Sequence, residues 1–199
     1  EKLIKLKVQN PTIYNLQGII YQKIGHIENS IQAFEKSLKI ENENYIVLNN
    51  LASSLVSISK YKYADKIYQK CLNIKPDYVF ALNNYAKLKE KINQIDQAII
   101  LYKKILKLNS YNERALIYLK IGKLYYSLGN FDQAAKYALK ILKDDHSNIE
   151  AFILISSILE PEKNKKLVAK FEKIYESKNL KDKEVVDLSF SLGKHYDSL

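Results

Sequence analysis

Asparagines are the residues in this 199-residue chain with the clearest chemical use, because they recur as adjacent pairs. The pairs fall in the matching segments 48–51 (Leu-Asn-Asn-Leu) and 82–85 (Leu-Asn-Asn-Tyr), and Asn15 stands at the position of Asn49 one 34-residue period earlier. A carboxamide both donates and accepts hydrogen bonds. Asparagines stacked on one face could hold an extended peptide backbone of any sequence, each bond contributing about 0.5–1.5 kcal/mol net.

Residue types that support catalysis or metal binding are sparse and scattered. His26, His146 and His195 are far apart in the repeat register, with no cysteine or carboxylate at metal-ligand spacing. Neither a glycine-rich phosphate loop nor a nucleophile elbow is present. Cys71 is the only cysteine, and its place in an apolar helical pattern predicts a small buried residue and not a reactive thiol. We therefore expect this segment to have no catalytic residue, no metal and no cofactor.

The net charge of +10 suggests nucleic-acid binding at first sight, but the residue types argue against it. Arg114 is the only arginine, whereas base recognition favours the bidentate guanidinium. Abundant Lys, Asn, Ile and Tyr, whose codons can consist of A and T alone, indicate a biased genome instead. No apolar run approaches the roughly 18 residues that span a bilayer. We expect a cytoplasmic protein that binds neither nucleic acid nor membrane.

A 34-residue period sets the elements that must position these side chains. Small residues recur at Gly18, Ala52 and Ala86, and the series continues at Gly122 after a shift of two residues. Within each period the apolar residues follow the helical pattern in two runs separated by a short break. A fixed period of this length predicts stacked helical hairpins, none of which buries its apolar face alone.

The predicted repeats follow from this register. The two extra residues before the fourth repeat are expected to lengthen its first helix by about half a turn, and Gly25 and Gly129 are expected at inner turns. Both ends of the chain look cut. The predicted segments are 1–10 as the tail of a truncated preceding repeat, 11–44, 45–78, 79–114 and 115–148 as repeats 1 to 4, 149–179 as a degenerate fifth repeat, and 180–199 as the first helix of a truncated sixth.

The repeats resemble the tetratricopeptide repeat (TPR) family, whose pattern places Leu-Gly or Leu-Ala, Tyr, Ala, an aromatic residue and Pro at set positions. The second repeat matches best, through Leu48, Leu51-Ala52, Leu55, Ala64, Tyr68 and Pro76. The resemblance covers essentially the whole chain. It implies an all-α, right-handed solenoid of stacked antiparallel helix hairpins. It also implies a non-enzymatic scaffold that binds a protein or peptide in a concave groove lined by the first helix of each repeat.

The groove residues that the resemblance implies include the paired asparagines. Their stacking resembles the asparagine ladder in the repeats of O-linked N-acetylglucosamine transferase. The alternative is that asparagine is simply frequent at this helix position. A carboxylate clamp is disfavoured, because Asn15 and Ile19 stand where lysines and an arginine would be needed. The predicted groove residues are Asn15, Asn49, Asn50, Ser53, Asn83, Asn84, Lys87 and Lys123.

Two other interpretations remain open. Residues 188–199 resemble the repeat that precedes the catalytic domain in bacterial TPR sulfotransferases. On that basis the chain would be the substrate-recruiting, non-catalytic region of a larger sulfotransferase- or glycosyltransferase-type enzyme. Self-association through uncapped ends is a third interpretation, because terminal repeats without polar caps expose apolar surface.

Overall fold

The computed structural model describes residues 10–108, 113–159, 161–177 and 180–197, and all regular secondary structure in these ranges is α-helical. The helices are α1 (Pro11–Lys23), α2 (Ile27–Ile40), α3 (Tyr45–Ser57), α4 (Tyr61–Ile74), α5 (Val79–Lys91), α6 (Ile95–Leu106), α7 (Arg114–Ser127), α8 (Phe131–Asp144), α9 (Ile149–Ser156), α10 (Pro161–Glu176) and α11 (Asp182–Asp197). The predicted tail of a preceding repeat, apart from Asn10, lies outside the described residues.

The helices group into two compact units, Glu1–Leu108 (unit 1) and Asn109–Leu199 (unit 2). In unit 1 the hairpins α1–α2, α3–α4 and α5–α6 stack through α2 on α3 and α4 on α5. In unit 2 the hairpin α7–α8 is followed by α9, α10 and α11, which pack on one another. Leading helices also touch in sequence, α1 with α3 and α3 with α5 in unit 1, and α7 with α9 and α9 with α11 in unit 2. The predicted all-α solenoid of helical hairpins is thus confirmed.

Asparagine side chains begin several of these helices. Asn44 and Asn148 each stand at an N-cap and accept a hydrogen bond from the backbone N–H three residues ahead, at 3.1 and 3.0 Å. Asn130 does the same for α8 at 3.2 Å. Because the first N–H groups of a helix have no partner within it, such a cap contributes about 1 kcal/mol. Part of the asparagine content of the chain is therefore structural.

Small residues are required where the two helices of a hairpin meet. A Cβ added to Gly18 would lie 2.4 Å from the Phe34 ring, which is fully buried in α2. Ala52 and Ala86, one and two periods later, are also fully buried. The period that reveals the fold is thus the spacing of helix–helix contacts that leave no room for a larger side chain.

The inner turns of the hairpins share one backbone conformation. Gly25 and Gly129 have φ of +82° and +72°, as expected of residues that end a helix. The same position in the second and third hairpins is held by Ser59 and Asn93, with φ of 60° and 58°. A left-handed conformation is strained for residues with a side chain, so two of the four turns carry a cost that glycine avoids.

The expected lengthening of the fourth repeat's first helix amounts to one residue. Helix α7 has 14 residues, against 13 in α1, α3 and α5. Helix α6 ends at Leu106 and α7 begins at Arg114, and residues 109–112 between them lie outside the described residues.

A buried polar network joins α4 to α5 and to the turn before α6. The ammonium of Lys89, whose residue is only 5% exposed, pairs with the Asp65 carboxylate and donates to Gln94 Oε1 at 2.8 Å. Tyr85 Oη donates to Asp65 at 2.9 Å. Burial alone would lower the pKa of Lys89, but its hydrogen bonds to Asp65 and Tyr85 outweigh burial and raise it. Lys89 is therefore charged at neutral pH and is held by Asp65 and Gln94.

Candidate functional site

The predicted asparagines form a chain of hydrogen bonds across unit 1, which we call the amide ladder (Asn15, Asn49, Asn50 and Asn84). Asn84 Nδ2 on α5 donates to Asn49 Oδ1 on α3 at 3.1 Å. Asn49 Nδ2 donates to the neighbouring Asn50 Oδ1 at 3.4 Å, and Asn50 Nδ2 donates to Asn15 Oδ1 on α1 at 3.3 Å. The ladder links the first helices of three consecutive hairpins.

Burial divides the ladder into two kinds of residue. Asn49 is 5% exposed and lies inside the contact between α3 and α5. Asn15, Asn50 and Asn84 are half-buried, so each keeps one side toward solvent. A carboxamide has two N–H donors and two acceptor lone pairs. After its two ladder bonds, Asn50 retains an N–H and a lone pair for another molecule.

The other predicted groove residues lie near the ladder, with one exception. Ser53 is half-buried on α3, and its Oγ accepts a bond from Gln22 Nε2 at 3.5 Å. Asn83 is half-buried and Lys87 exposed, both on α5. Lys123 is the exception, because it lies on α7 in unit 2.

Exposed apolar side chains on the same helices were not among the predicted groove residues. Ile46 on α3 is 41% exposed, and Phe80 on α5 is 68% exposed. They precede Asn49 and Asn83 by three residues, so they share a helix face with the asparagines. The signal was available in the sequence, since positions 46 and 80 are one period apart. Unit 1 therefore presents amides and apolar side chains together.

A second candidate surface is a cavity of about 500 Å³ in unit 2, formed by α7, α9 and α11. Lys123 lies at its edge, where Nζ forms an ion pair with Glu150 at 3.3 Å, both side chains being exposed. Its size falls within the range of pockets that hold ligands. It is lined by Lys123, Glu150, Ile153, Leu154, Ser157, Lys183, Val186, Asp187, Phe190 and Ser191.

The two surfaces occupy the same register positions but carry different side chains. Three residues before the small residue of each leading helix, unit 1 has asparagine, while unit 2 has an apolar residue. Three residues earlier again, α3 and α5 have an apolar residue, while α9 and α11 have an acid. At the first position, unit 1 has Asn15, Asn49 and Asn83, and unit 2 has Leu119, Ile153 and Phe190. At the second position, α3 and α5 have Ile46 and Phe80, and α9 and α11 have Glu150 and Asp187. Polar and apolar positions have exchanged places.

The residue types associated with catalysis do not assemble in the described part of the chain. No group of three or more His, Cys, Asp or Glu side chains there is arranged to hold a metal ion. Cys71 is fully buried, and its Sγ donates to the Tyr45 carbonyl at 3.2 Å. Burial raises the pKa of its thiol to about 11, so the thiol keeps its proton at neutral pH. None of the described helices is long and apolar enough to cross a bilayer.

Several solved structures are similar to this chain in fold. The crystal structure of MamA has 23% identity and a TM-score of 0.67, with 94% of this chain and 92% of that chain covered. PilF of Pseudomonas aeruginosa has 19% identity and a TM-score of 0.73, covering 94% and 85%. The first TPR of Spaghetti (RPAP3), bound to the HSP90 peptide SRMEEVD, has 18% identity and a TM-score of 0.56, covering 61% and 94%. At these identities the likeness concerns the fold.

The search of curated proteins gave no match. The resemblance of residues 188–199 to sulfotransferase repeats finds no support in these comparisons, so a sulfotransferase-like origin is not upheld.

Two family models, both described as tetratricopeptide repeat, match consecutive parts of the chain. One matches residues 11–44, 45–78 and 81–112, and the other matches residues 117–148. These matches take in well over half of the sequence, and they coincide with the helical hairpins α1–α2, α3–α4, α5–α6 and α7–α8. The chain belongs to the tetratricopeptide repeat family.

Proposed function

We propose that this chain is a binding scaffold, and that the surface of α1, α3 and α5 around the amide ladder holds an extended peptide or a helix of a partner protein. Proteins of this family act as interaction scaffolds, and one similar structure, that of Spaghetti, contains a bound HSP90 peptide. No catalytic step is assigned to this segment.

The amide ladder is the observation that carries this proposal. Its bonds fix the orientation of the half-buried carboxamides of Asn15, Asn50 and Asn84, so little conformational entropy is lost when a peptide binds them. Their unused donors and acceptors match the alternating N–H and C=O groups of an extended backbone. Side-chain identity in the peptide matters little to such bonds.

Neighbouring side chains add the apolar part of the contact. Ile46 and Phe80 are exposed on the face that carries the asparagines, and Lys87 adds a positive charge one turn beyond Asn83. A peptide with an apolar residue can cover Phe80 while its backbone bonds the ladder. The preferred partner is a segment with apolar side chains and a carboxylate near Lys87.

The test uses a phage-displayed library of random 12-residue peptides, selected on the immobilised wild-type chain. Capture of the selected clones is then compared with the variant Asn50→Ala/Asn84→Ala. Loss of two hydrogen bonds to the peptide should weaken binding about 5- to 100-fold. The double variant also removes both ladder partners of the buried Asn49, so its free energy of unfolding should fall by about 1–3 kcal/mol, and capture is compared at a temperature where it remains folded. Asn73→Ala, an exposed asparagine on α4, is the matched control and should retain full capture.

Asn49→Ala separates a structural role from a binding role. Asn49 is buried between two ladder partners, so its removal should cost about 1–3 kcal/mol of stability and leave Asn84 without its acceptor. Asn49→Ala should lose a similar amount of stability but keep Asn50 and Asn84 for the peptide, so it should retain more capture than the double variant. If both variants lose capture equally, the whole ladder is structural. Unchanged capture by a stable double variant would likewise contradict the proposal.

A further inference from the structure

The cavity in unit 2 continues into a second hollow and forms one extended cleft. The adjoining hollow, of about 340 Å³, is lined by residues from 145 to 153 and from 183 to 187. Both hollows share Glu150, Ile153, Lys183 and Asp187 as walls. We call the combined surface the α9–α11 cleft. It lies wholly within unit 2 and contains no residue of the amide ladder.

The floor of the α9–α11 cleft is apolar and exposed. Val186 and Phe190 follow one another by one helical turn on α11 and are 65% and 67% exposed. Ile153 of α9 is half-buried between them and the rest of unit 2. Apolar area left in water is unfavourable, and it is most easily covered by a large side chain that inserts into the cavity.

The rim of the cleft is acidic, in contrast to the chain as a whole. Four carboxylates line it, those of Asp145, Glu150, Glu184 and Asp187, against the two ammonium groups of Lys123 and Lys183. The chain overall carries a net charge of +10. The negative rim is therefore a local feature at the mouth of an apolar cavity and does not follow from composition.

Three of these carboxylates already have partners, and one does not. Glu150 pairs with Lys123, Glu184 accepts from the Lys181 backbone N–H at 3.0 Å, and Asp145 accepts from Ser147 and Asn148. Asp187 is half-buried and makes no hydrogen bond or ion pair with any residue that the structure describes. Asp187 directly follows Val186 and precedes Phe190 by three residues on α11, so a cation bound in the cleft can pair with its carboxylate.

We propose that the α9–α11 cleft is a second binding site, which takes a partner-protein segment with one large apolar side chain flanked by lysine or arginine. The apolar side chain enters the cavity over Val186 and Phe190, and the adjacent cation pairs with Asp187. Charge complementarity selects this occupant over an acidic peptide. The site extends the proposed scaffold function but is independent of the amide ladder, because its residues and preferred ligand differ.

The same phage-displayed library of random 12-residue peptides tests this site on the full chain. Selected clones are sorted by loss of capture on Phe190→Ala and on Asp187→Asn. Clones lost on either variant should carry Leu, Ile or Phe next to Lys or Arg. A synthetic fluorescein-labelled peptide of the commonest such sequence should bind each variant at least 10-fold more weakly in anisotropy titrations. Binding to wild type should also weaken at least 10-fold between 50 and 500 mM NaCl.

Matched variants keep this result separate from the first proposal. Tyr63→Ala removes an aromatic ring on α4 that is 66% exposed, close to the 67% of Phe190, and should bind normally. Asn50→Ala/Asn84→Ala should also retain the cleft peptides, and Asp187→Asn should retain the ladder peptides. If one proposed site turns out not to bind peptides, binding at the other site can still be measured.

Three results would overturn the proposal. The first is that no selected clone depends on Phe190 or Asp187. The second is that the dependent clones are acidic or lack a basic residue beside the apolar one. The third is that light scattering shows an oligomer of the wild-type chain that Phe190→Ala dissociates, since the occupant would then be a second copy. Circular dichroism on both variants checks that their helices remain intact.

Discussion

Single positions change their chemistry from repeat to repeat while the backbone stays the same. The position of Asn49 becomes Ile153 and then Phe190, and the position of Phe80 becomes Glu150 and then Asp187. Small residues such as Ala52 and Ala86 stay buried at the helix contacts, so the shared fold is kept while the chemistry at these positions changes. Substitutions at single positions therefore give repeats of the same fold surfaces that suit different ligands.

The Cys71 thiol gives a pH-dependent prediction. Burial raises its pKa to about 11, above the roughly 8.5 of an exposed cysteine. Between these values the unfolded chain loses the proton and the folded chain keeps it, so stability is fully present below pH 8 and falls as pH rises. Between pH 8 and 10.5, the wild type should lose about 2 kcal/mol more than Cys71→Ala, as measured by urea unfolding at each pH. Parallel curves for the two proteins would contradict this.

Sequence and structure agree at the residue scale only in part. The asparagine register predicted that Asn15, Asn49 and Asn84 would lie on neighbouring helices, and the structure bonds them together. It did not predict that Asn49 is buried, because burial depends on how closely α5 approaches α3. Phe190 and Asp187 were not predicted, because they share repeat positions with residues of α3 and α5 but not their residue types.

At the scale of elements, the inner turns show how similar backbones are reached by different sequences. All four turns described above need a left-handed residue, and the second and third hairpins use Ser59 and Asn93 there. Asn tolerates this region better than Ser, because its short polar side chain hydrogen-bonds locally. The turn before α4 is therefore the most strained of the four.

Glycine substitutions at these turns provide the second prediction. Ser59→Gly should raise the free energy of unfolding by about 1 kcal/mol, and Asn93→Gly should raise it less. Gly129→Ala should lower it by about 1 kcal/mol. All are measured by urea denaturation with circular dichroism.

The control for the turn series is Ser53→Gly, six residues earlier and inside α3. There glycine should destabilise by about 1 kcal/mol, because it weakens a helix interior. Opposite signs for Ser53→Gly and Ser59→Gly would establish that the turn conformation, and not glycine itself, is responsible. Equal signs would refute the argument from strain.

The sequence predicted the helices well because each has a sustained apolar period and small residues at fixed contacts. It could not predict the network of Lys89, Asp65 and Gln94, whose members lie 24 and 5 positions apart and meet only after α4 and α5 pack. The two extra residues before the fourth repeat were expected to lengthen α7 by about half a turn, whereas α7 is one residue longer than α1, α3 and α5. Periodicity specifies contacts inside a repeat better than the connections between repeats.

At the scale of the whole molecule, each of the two compact units buries aromatic side chains of its own. Unit 1 buries Phe34, Tyr68 and Tyr102 completely, and unit 2 buries Phe152 and Phe171, whose rings stack at 4.0 Å. Each repeat is stabilised by its immediate neighbours in such a stack. We therefore expect the contacts within each unit to supply most of the free energy that keeps that unit folded.

The third prediction is that residues 1–108 fold alone. This fragment contains all three hairpins of unit 1 and the Lys89 network, so it should show a helical spectrum and a cooperative thermal transition. The fragment 1–74 ends with α4 and lacks Lys89 and Tyr85, so it should melt at a lower temperature. An unfolded 1–108 fragment, or equal melting of both fragments, would contradict this view.

The Lys89 network also makes the order of the repeats in unit 1 matter. If the second and third repeats were exchanged by recombination, Asp65 and Lys89 would no longer face each other, and each would lose its partner of opposite charge. An ammonium without its carboxylate partner costs several kcal/mol, which a stack of this size tolerates poorly. The buried network thus specifies which repeats can be neighbours in the chain, although all of them share one fold.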